Sequence, residues 1–254
     1  MIIVRRPTYL SASQFHQKHV RSQMRLPYND AIMLKSMLDR LASPQYRRPT
    51  GLLGRYIGRK MVEQHAPEND WTIALLGVTP HDRIIEIGCG AGYAIEQLAR
   101  AITPPAQTQG DRTAPAIAGV DFSETMISVA RQRNASAVQA GRVDLQLADA
   151  AALPFENSGF HKAYSIHSIY FWPEPLKALG EIWRVLRPGG QIMITFQPKA
   201  APEETGSKDF RPYSGVELSA LLHVAGFRQI DIRDGRTATH RSNYTVVGIK
   251  PAKP

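Results

Sequence analysis

The sequence predicts a doubly wound α/β protein: a mostly parallel sheet with helices on both faces, a C-terminal antiparallel hairpin and a helical N-terminal extension. Three observations carry this. Between about residues 83 and 196, short apolar runs alternate with stretches that repeat apolar residues at helical spacing. The first run passes straight into a glycine-rich turn, Gly88-Cys89-Gly90-Ala91-Gly92. Near the C-terminus, Arg228–Ile232 and Tyr244–Ile249 follow one another with no helix between them. Alternation implies parallel strands joined by crossover helices, whereas two strands without a crossover imply a hairpin.

The elements follow in order. Residues 1–48 read as a basic extension and residues 49–254 as the α/β domain. Within the extension, Tyr28 to Leu41 places Ile32, Met33, Met37, Leu38 and Leu41 on one loose apolar face, which predicts a short helix. Ser43 to Thr50 carries two prolines and reads as a linker. A helix-rich stretch runs from Leu52 to about Leu76. The first strand, Arg83 to Ile87, ends at Gly88. A helix from Ala94 to Ile102 repeats Ile95, Leu98, Ala99 and Ile102. Pro104 to Pro115 reads as a surface insertion. The second strand, Ala116 to Val120, ends at Asp121, and Ser123 caps a helix reaching Arg133. Val143–Leu147 and Lys162–Ile166 are the third and fourth strands. A helix from Pro175 to Leu186 stops at Pro188-Gly189-Gly190, and Gln191–Phe196 is the fifth strand. Ser214 and Glu217 stand at capping-box spacing ahead of a helix to Val224.

Composition excludes several classes. No run of eighteen apolar residues exists, so no membrane span is expected, and the start lacks the apolar stretch and cleavage site of a signal peptide. Cys89 is the only cysteine, which excludes an internal disulfide and a Cys-based structural zinc site. A cytoplasmic location is the expectation that fits a reducing compartment. Residues 1–50 hold nine Lys/Arg and two Asp/Glu, so most of the chain's net charge of +9 belongs to its start. Three readings of that arm stand: a solvated extension, an import presequence whose first acid is Asp30, or an arm that meets nucleic acid or an anionic surface.

The chemistry-bearing residues sit at strand ends. The turn after the first strand spaces its glycines G-x-G-x-G; a dinucleotide fingerprint needs the third at position 93, which is Tyr93. No Gly-Lys-Ser/Thr follows, so a P-loop is also excluded. Asp121 ends the second strand, where a carboxylate can accept hydrogen bonds from both hydroxyls of a ribose or can satisfy the N-terminus of the next helix. Asp149, in Ala148-Asp149-Ala150 at the end of the third strand, can accept from an adenine amino group or simply form a turn. Together the three strand ends fit one adenosine-containing ligand.

These segments resemble a known family. The E-I-G-C-G-A-G turn from Glu86, G-V-D-F-S-E-T-M from Gly119, A-D-A-A-A-L-P-F from Ala148 and R-V-L-R-P-G-G from Arg184 are similar to those of class I S-adenosylmethionine (SAM) dependent methyltransferases, over residues 49–250. The opening Pro49-Thr50-Gly51-Leu52-Leu53-Gly54-Arg55 and Ile169-Tyr170-Phe171-Trp172-Pro173 resemble a group of small bacterial methyltransferases. The resemblance implies SAM as cofactor. It sets Gly88, Gly90 and Gly92 against the methionine part, Asp121 on the ribose, and Phe122 and Met126 near the adenine. Asp149 and the backbone of Ala150 take the adenine edge. Ile166 and His167 line the methyl-donor pocket, and Glu86 helps place the SAM ammonium. His161 departs from the family, standing after Phe160 where an Asp is usual.

A sulfonium methyl is already activated, so in-line displacement needs positioning first and a base only when the acceptor must lose a proton. His167 and Tyr170 are the candidate bases, His167 alternatively being a wall residue. Tyr170, Phe171 and Trp172 are candidate walls of an acceptor site, or core. Residues 198–213 read as a lid. Strand four ends in Ser165-Ile166-His167-Ser168, without the Asn-Pro-Pro-Tyr type motif of base methylation. The favoured acceptor is a small, partly apolar metabolite. The alternatives are an RNA methyltransferase using the basic arm and a non-catalytic SAM-binding protein.

Overall fold

The computed structural model describes residue 45 and residues 47–102, 116–199, 210–235 and 243–252. The chain divides into two units, Met1–Leu41 and Ala42–Pro254, and all described residues lie in the second. The expected helix at Tyr28–Leu41, the insertion at Pro104–Pro115 and residues 200–209 of the expected lid fall outside the described residues.

The elements are helix α1 (Gly51–Leu76), strand β1 (Ile84–Ile87), α2 (Tyr93–Ala101), β2 (Ile117–Asp121), α3 (Glu124–Arg133), α4 (Ala135–Gln139), β3 (Val143–Leu147), β4 (Phe160–Ile166), α5 (Pro175–Val185), β5 (Leu186–Phe196), α6 (Gly215–Val224), β6 (Arg228–Asp234) and β7 (Tyr244–Ile249). The seven strands form one sheet in the order β3-β2-β1-β4-β5-β7-β6. The first five are parallel, and β7 lies antiparallel between β5 and β6, as the expected hairpin requires. The chain winds outward from β1 to β3, then returns to place β4 on the other side of β1. Strand order therefore reverses between β1 and β4, the point where open α/β sheets form their ligand crevice.

Alternation along the central strands sorts side chains to two buried faces. Ile85, Ile87, Val120, Ile192 and Ile194 pack with Leu179 and Ile182 of α5 and Leu218 and Leu222 of α6. Ile84, Ile117, Leu145 and Tyr164 pack with Leu76 of α1, Ile95 and Leu98 of α2, and Ile127 of α3. Each fully buried leucine in these layers contributes about 1.5–3 kcal/mol. Ser123 caps α3, its hydroxyl accepting from the Met126 N–H at 3.3 Å. The capping box of α6 is complete, with Ser214 and Glu217 each accepting from the other's backbone.

Strand β5 begins at Leu186, five residues before its expected start at Gln191, and takes in Pro188-Gly189-Gly190. The physical reason lies in the partner strand: the Gly189 N–H donates to the Lys250 carbonyl at 2.9 Å, and the Lys250 N–H to the Gly190 carbonyl at 2.8 Å. A Pro-Gly-Gly turn signal is thus kept within the strand as a bulge, with Gly189 at φ +78°, by the residue that follows β7. His161, the departure before β4, does an acceptor's work: its Nδ1 accepts from the Arg83 N–H at 2.9 Å. Burial and the nearby Arg187 charge hold its pKa below the usual histidine value, which keeps that nitrogen free to accept.

Candidate active site

One cavity opens over the tips of β1, β2, β3 and β4, closed on the far side by α1. Its first wall is the turn after β1. Gly88 and Gly90 both have left-handed backbones, with φ of +75° and +50°. A Cβ on Gly88 would lie 2.4 Å from that of Ser168, so glycine is required for the loops after β1 and β4 to meet. A Cβ on Gly90 would meet nothing within 4 Å. The space before Gly90 is open cavity.

Asp121 and Glu86 bring the buried carboxyl groups. Asp121 is 8% exposed; its Oδ2 accepts from the Gly90 N–H at 2.9 Å and its Oδ1 from the Ser123 N–H at 2.8 Å. Burial raises its pKa against the pull of those two backbone donors. Glu86, 3% exposed, accepts from the Tyr164 hydroxyl at 3.0 Å. Burial pushes its carboxyl up to about 8, opposed by the Tyr164 hydrogen bond and aided by the Asp121 charge. The cavity thus holds two carboxyl groups whose surroundings disfavour charge and would welcome a cation.

Phe122, Met126, Asp149, Ala150, Ile166, His167 and Trp172 line the same cavity. Asp149 is exposed and its Oδ1 accepts from the Ala151 N–H at 2.8 Å. Arg184 anchors the following loop, donating to the Leu153 and Phe155 carbonyls at 2.9 and 2.7 Å. Two of the expected site residues do not line the cavity. Gly92 caps α2 with φ +72°, and its hydrogens face Ala130 and Asn134 of the neighbouring helices. Tyr170 is 7% exposed in the core; its hydroxyl meets the Gln197 backbone and lies 3.2 Å from Nδ1 of His167. Burial raises its pKa well beyond the usual tyrosine value, opposed by the Gln197 hydrogen bond, so it stays protonated.

Sequence reasoning missed the wall supplied by α1: Gly58, Met61, Val62, His65 and Asn69 all line the cavity, with Arg47 and Pro49 ahead of them. Helical spacing shows which residues share a face; it does not tell whether that face meets core or cavity. Phe171 and Pro173 complete the apolar side. Phe210, at the C-terminal end of the expected lid segment, does not line the cavity; it packs behind it, stacked on Tyr170 with ring centroids 4.9 Å apart and edge-on to Phe171 at 5.8 Å.

Known proteins fit this arrangement. The methyltransferase-domain family matches residues 85–194. The uncharacterized methyltransferase YdaC of Bacillus subtilis is 32% identical over 179 residues, spanning 69% of this chain and 88% of that protein. The O-methyltransferase resE of Aspergillus sclerotiorum is 34% identical over 172 residues, 64% of this chain and 61% of that one. The solved structure of a SAM dependent methyltransferase from Aquifex aeolicus shares the fold, with a TM-score of 0.60 at 18% identity over 77% of this chain and 97% of that one. The strand order, the glycine turn at a switch point and these relatives converge: the chain belongs to the class I SAM-dependent methyltransferases.

Proposed function

We propose that this enzyme transfers the SAM methyl group to a hydroxyl of a small, partly apolar metabolite. One observation carries the reading: a single cavity joins carboxylate-bearing strand tips on one side to a wall of Met61, Val62, Phe171 and Trp172 on the other. The residues suit the donor. Asp121 would accept from the ribose hydroxyls, and Asp149 with the Ala150 backbone would meet the adenine edge beside Phe122 and Met126. The open space before Gly90 suits the methionine chain, and Glu86 its ammonium. When bound, SAM supplies a methyl on a positively charged sulfur, already activated for in-line displacement.

The chain's own work is then positioning. Ile166 and His167, at the end of β4, stand where the reacting atoms would meet. A hydroxyl acceptor must lose its proton, and His167, a lining residue at the end of β4, would assist. Tyr170, buried behind it, orients the imidazole rather than touching the acceptor. The name of resE speaks for an oxygen acceptor, and the apolar wall speaks for a metabolite with a hydrophobic body. Residues 49–254 would form the methyltransferase domain.

The test is a metabolite extract incubated with methyl-labelled SAM, with labelled products identified by mass. The expected product is a small O-methylated compound. Label recovered only in RNA, and lost when residues 1–48 are removed, would replace this reading with an RNA acceptor.

A further inference from the structure

We propose that His65, Glu68 and His167 form a divalent transition-metal site in the acceptor wall. The proposal rests on the methyl-transfer reading above and deepens it. The three side chains each offer one ligand atom, and those atoms lie within 4.8 Å of one another. His65 and Glu68 are three residues apart on α1, so one helix face presents both. His65 Nδ1 is 3.9 Å from Oε1 of Glu68, and the imidazoles of His65 and His167 have centroids 4.6 Å apart. Around zinc, ligand atoms stand roughly 3.3 Å apart, so closure by up to about 1.5 Å through side-chain rotation would complete a two-histidine, one-carboxylate set.

Three further observations point to a cation there. Glu68 is 2% exposed, yet among the described residues only its Oε1 has a hydrogen-bond donor, Asn243 at 3.1 Å; the buried Oε2 has none. A carboxylate so placed is costly without a positive partner. His167 has a left-handed backbone, φ +54°, rare for a residue with a side chain, and this conformation sets its ring against α1. The Tyr170 hydroxyl then fixes the imidazole from behind: Nδ1–H can donate to it, while that hydroxyl donates on to the Gln197 carbonyl at 3.3 Å. This leaves His167 Nε2 as the nitrogen with a lone pair, as a metal ligand held by an outer hydrogen bond requires.

His65 and His167 line the cavity, and Glu68 stands behind them. A cation held by the three keeps open positions toward the cavity. The nitrogen–oxygen donor set suits zinc, cobalt or iron(II) rather than magnesium or calcium. An acceptor hydroxyl on that cation would ionise at lower pH, its proton passing to solvent; the oxygen would then bond to the donated methyl as the sulfur–methyl bond breaks, its electron pair returning to sulfur and the demethylated donor leaving as a neutral thioether. His167 thereby assists deprotonation as a ligand.

The test uses the full chain, stripped with chelator, dialysed, and titrated at about pH 7.5 with Co2+ by visible absorption and with Zn2+ by calorimetry. One equivalent should bind, with the intense absorption of a low-coordinate cobalt centre. His65→Ala and Glu68→Gln should each weaken binding more than tenfold, and Tyr170→Phe about tenfold. His81→Ala, an exposed histidine outside the cavity, should change nothing. Circular dichroism checks that each variant is folded, and the isosteric Glu68→Gln keeps the test valid should His65→Ala unfold. Failure of the wild type to bind an equivalent of either ion, or binding indifferent to both ligand substitutions, overturns the site. SAM titrated into the same samples separates outcomes: a protein that binds SAM but neither ion sinks only this inference, whereas absence of SAM binding sinks the methyl-transfer reading.

Discussion

The two sides of the cavity are built by different means. The proposed donor side comes from the ends of β1, β2 and β3, three neighbouring strands whose glycines and carboxylates are fixed by backbone geometry. The proposed acceptor side comes from α1, the tip of β4 and the short turn that follows it, elements far apart in the chain, and it is made of side chains. A backbone-built site holds its ligand through conformations few residues can adopt. A side-chain-built site can change its ligand by substitution while the fold stays the same. The donor half should therefore be brittle toward small changes, and the acceptor half should tolerate them and alter its specificity.

Gly90→Val is the most severe test of that contrast. The added side chain meets nothing within 4 Å, so it fills the cavity rather than the core. The left-handed backbone makes it cost about 1–2 kcal/mol of stability. A folded protein with a lowered melting temperature and no detectable SAM binding by calorimetry is the expected result; retained affinity would remove the glycine turn from the donor site. Asp121→Ala comes next, weakening SAM by about 1–3 kcal/mol through lost charge-assisted hydrogen bonds. Asp121→Asn sharpens it. One oxygen remains to accept, so its loss should be smaller, and equal losses would mean that the charge matters more than the bond count.

Much of the donor half was legible in the sequence because its signals are local. A strand running into Gly88-x-Gly90, an acid one residue past Val120 and an acid two residues past Leu147 are each contained in a few positions, and the fold brings them together by strand order alone. The sheet was legible for the same reason. The start of β5 was not, because Lys250, some sixty residues away, decides how Pro188-Gly189-Gly190 is held. Neither was the part of the acceptor wall that α1 supplies. His65 and Glu68 lie in a helix whose interior even contains Pro67, and nothing local shows that they face the tip of β4. Tyr170 looked like a wall residue beside Trp172; a short helical turn sends Trp172 to the cavity and Tyr170 inward, onto Gln197.

Glu86 gives an effect of up to one proton. Its folded pKa, about 8, lies above the ordinary value of 4.5 because the group is buried. The stability it contributes is therefore fully present below about pH 4.5 and is lost as pH rises through about 8. The ligand-free melting temperature should fall across that window, and Glu86→Gln should flatten the fall. Placing the SAM ammonium against Glu86 favours the charged carboxylate, so binding at neutral pH should release protons. Calorimetry in buffers of different ionisation enthalpy measures this. An enthalpy independent of buffer would take Glu86 away from the ammonium.

Gly92→Ala should have the smallest effect on SAM, which makes it the sharpest division between cavity and scaffold. Its neighbours Gly88 and Gly90 line the cavity, but a Cβ on Gly92 would come 2.8 Å from Nδ2 of Asn134 and 2.9 Å from Cβ of Ala130. That Asn134 amide already donates to the carbonyls of Gly92 and Ala130, both at 3.0 Å, pinning the start of α2 to the end of α3. The substitution meets a positive φ of 72° and a tight helix contact together. It should cost about 2 kcal/mol or more in denaturant unfolding, with SAM affinity within about twofold of wild type. A large loss of affinity at unchanged stability would mean that all three glycines of the turn touch the donor. The division between a ligand-facing and a helix-facing half of that loop would then be wrong.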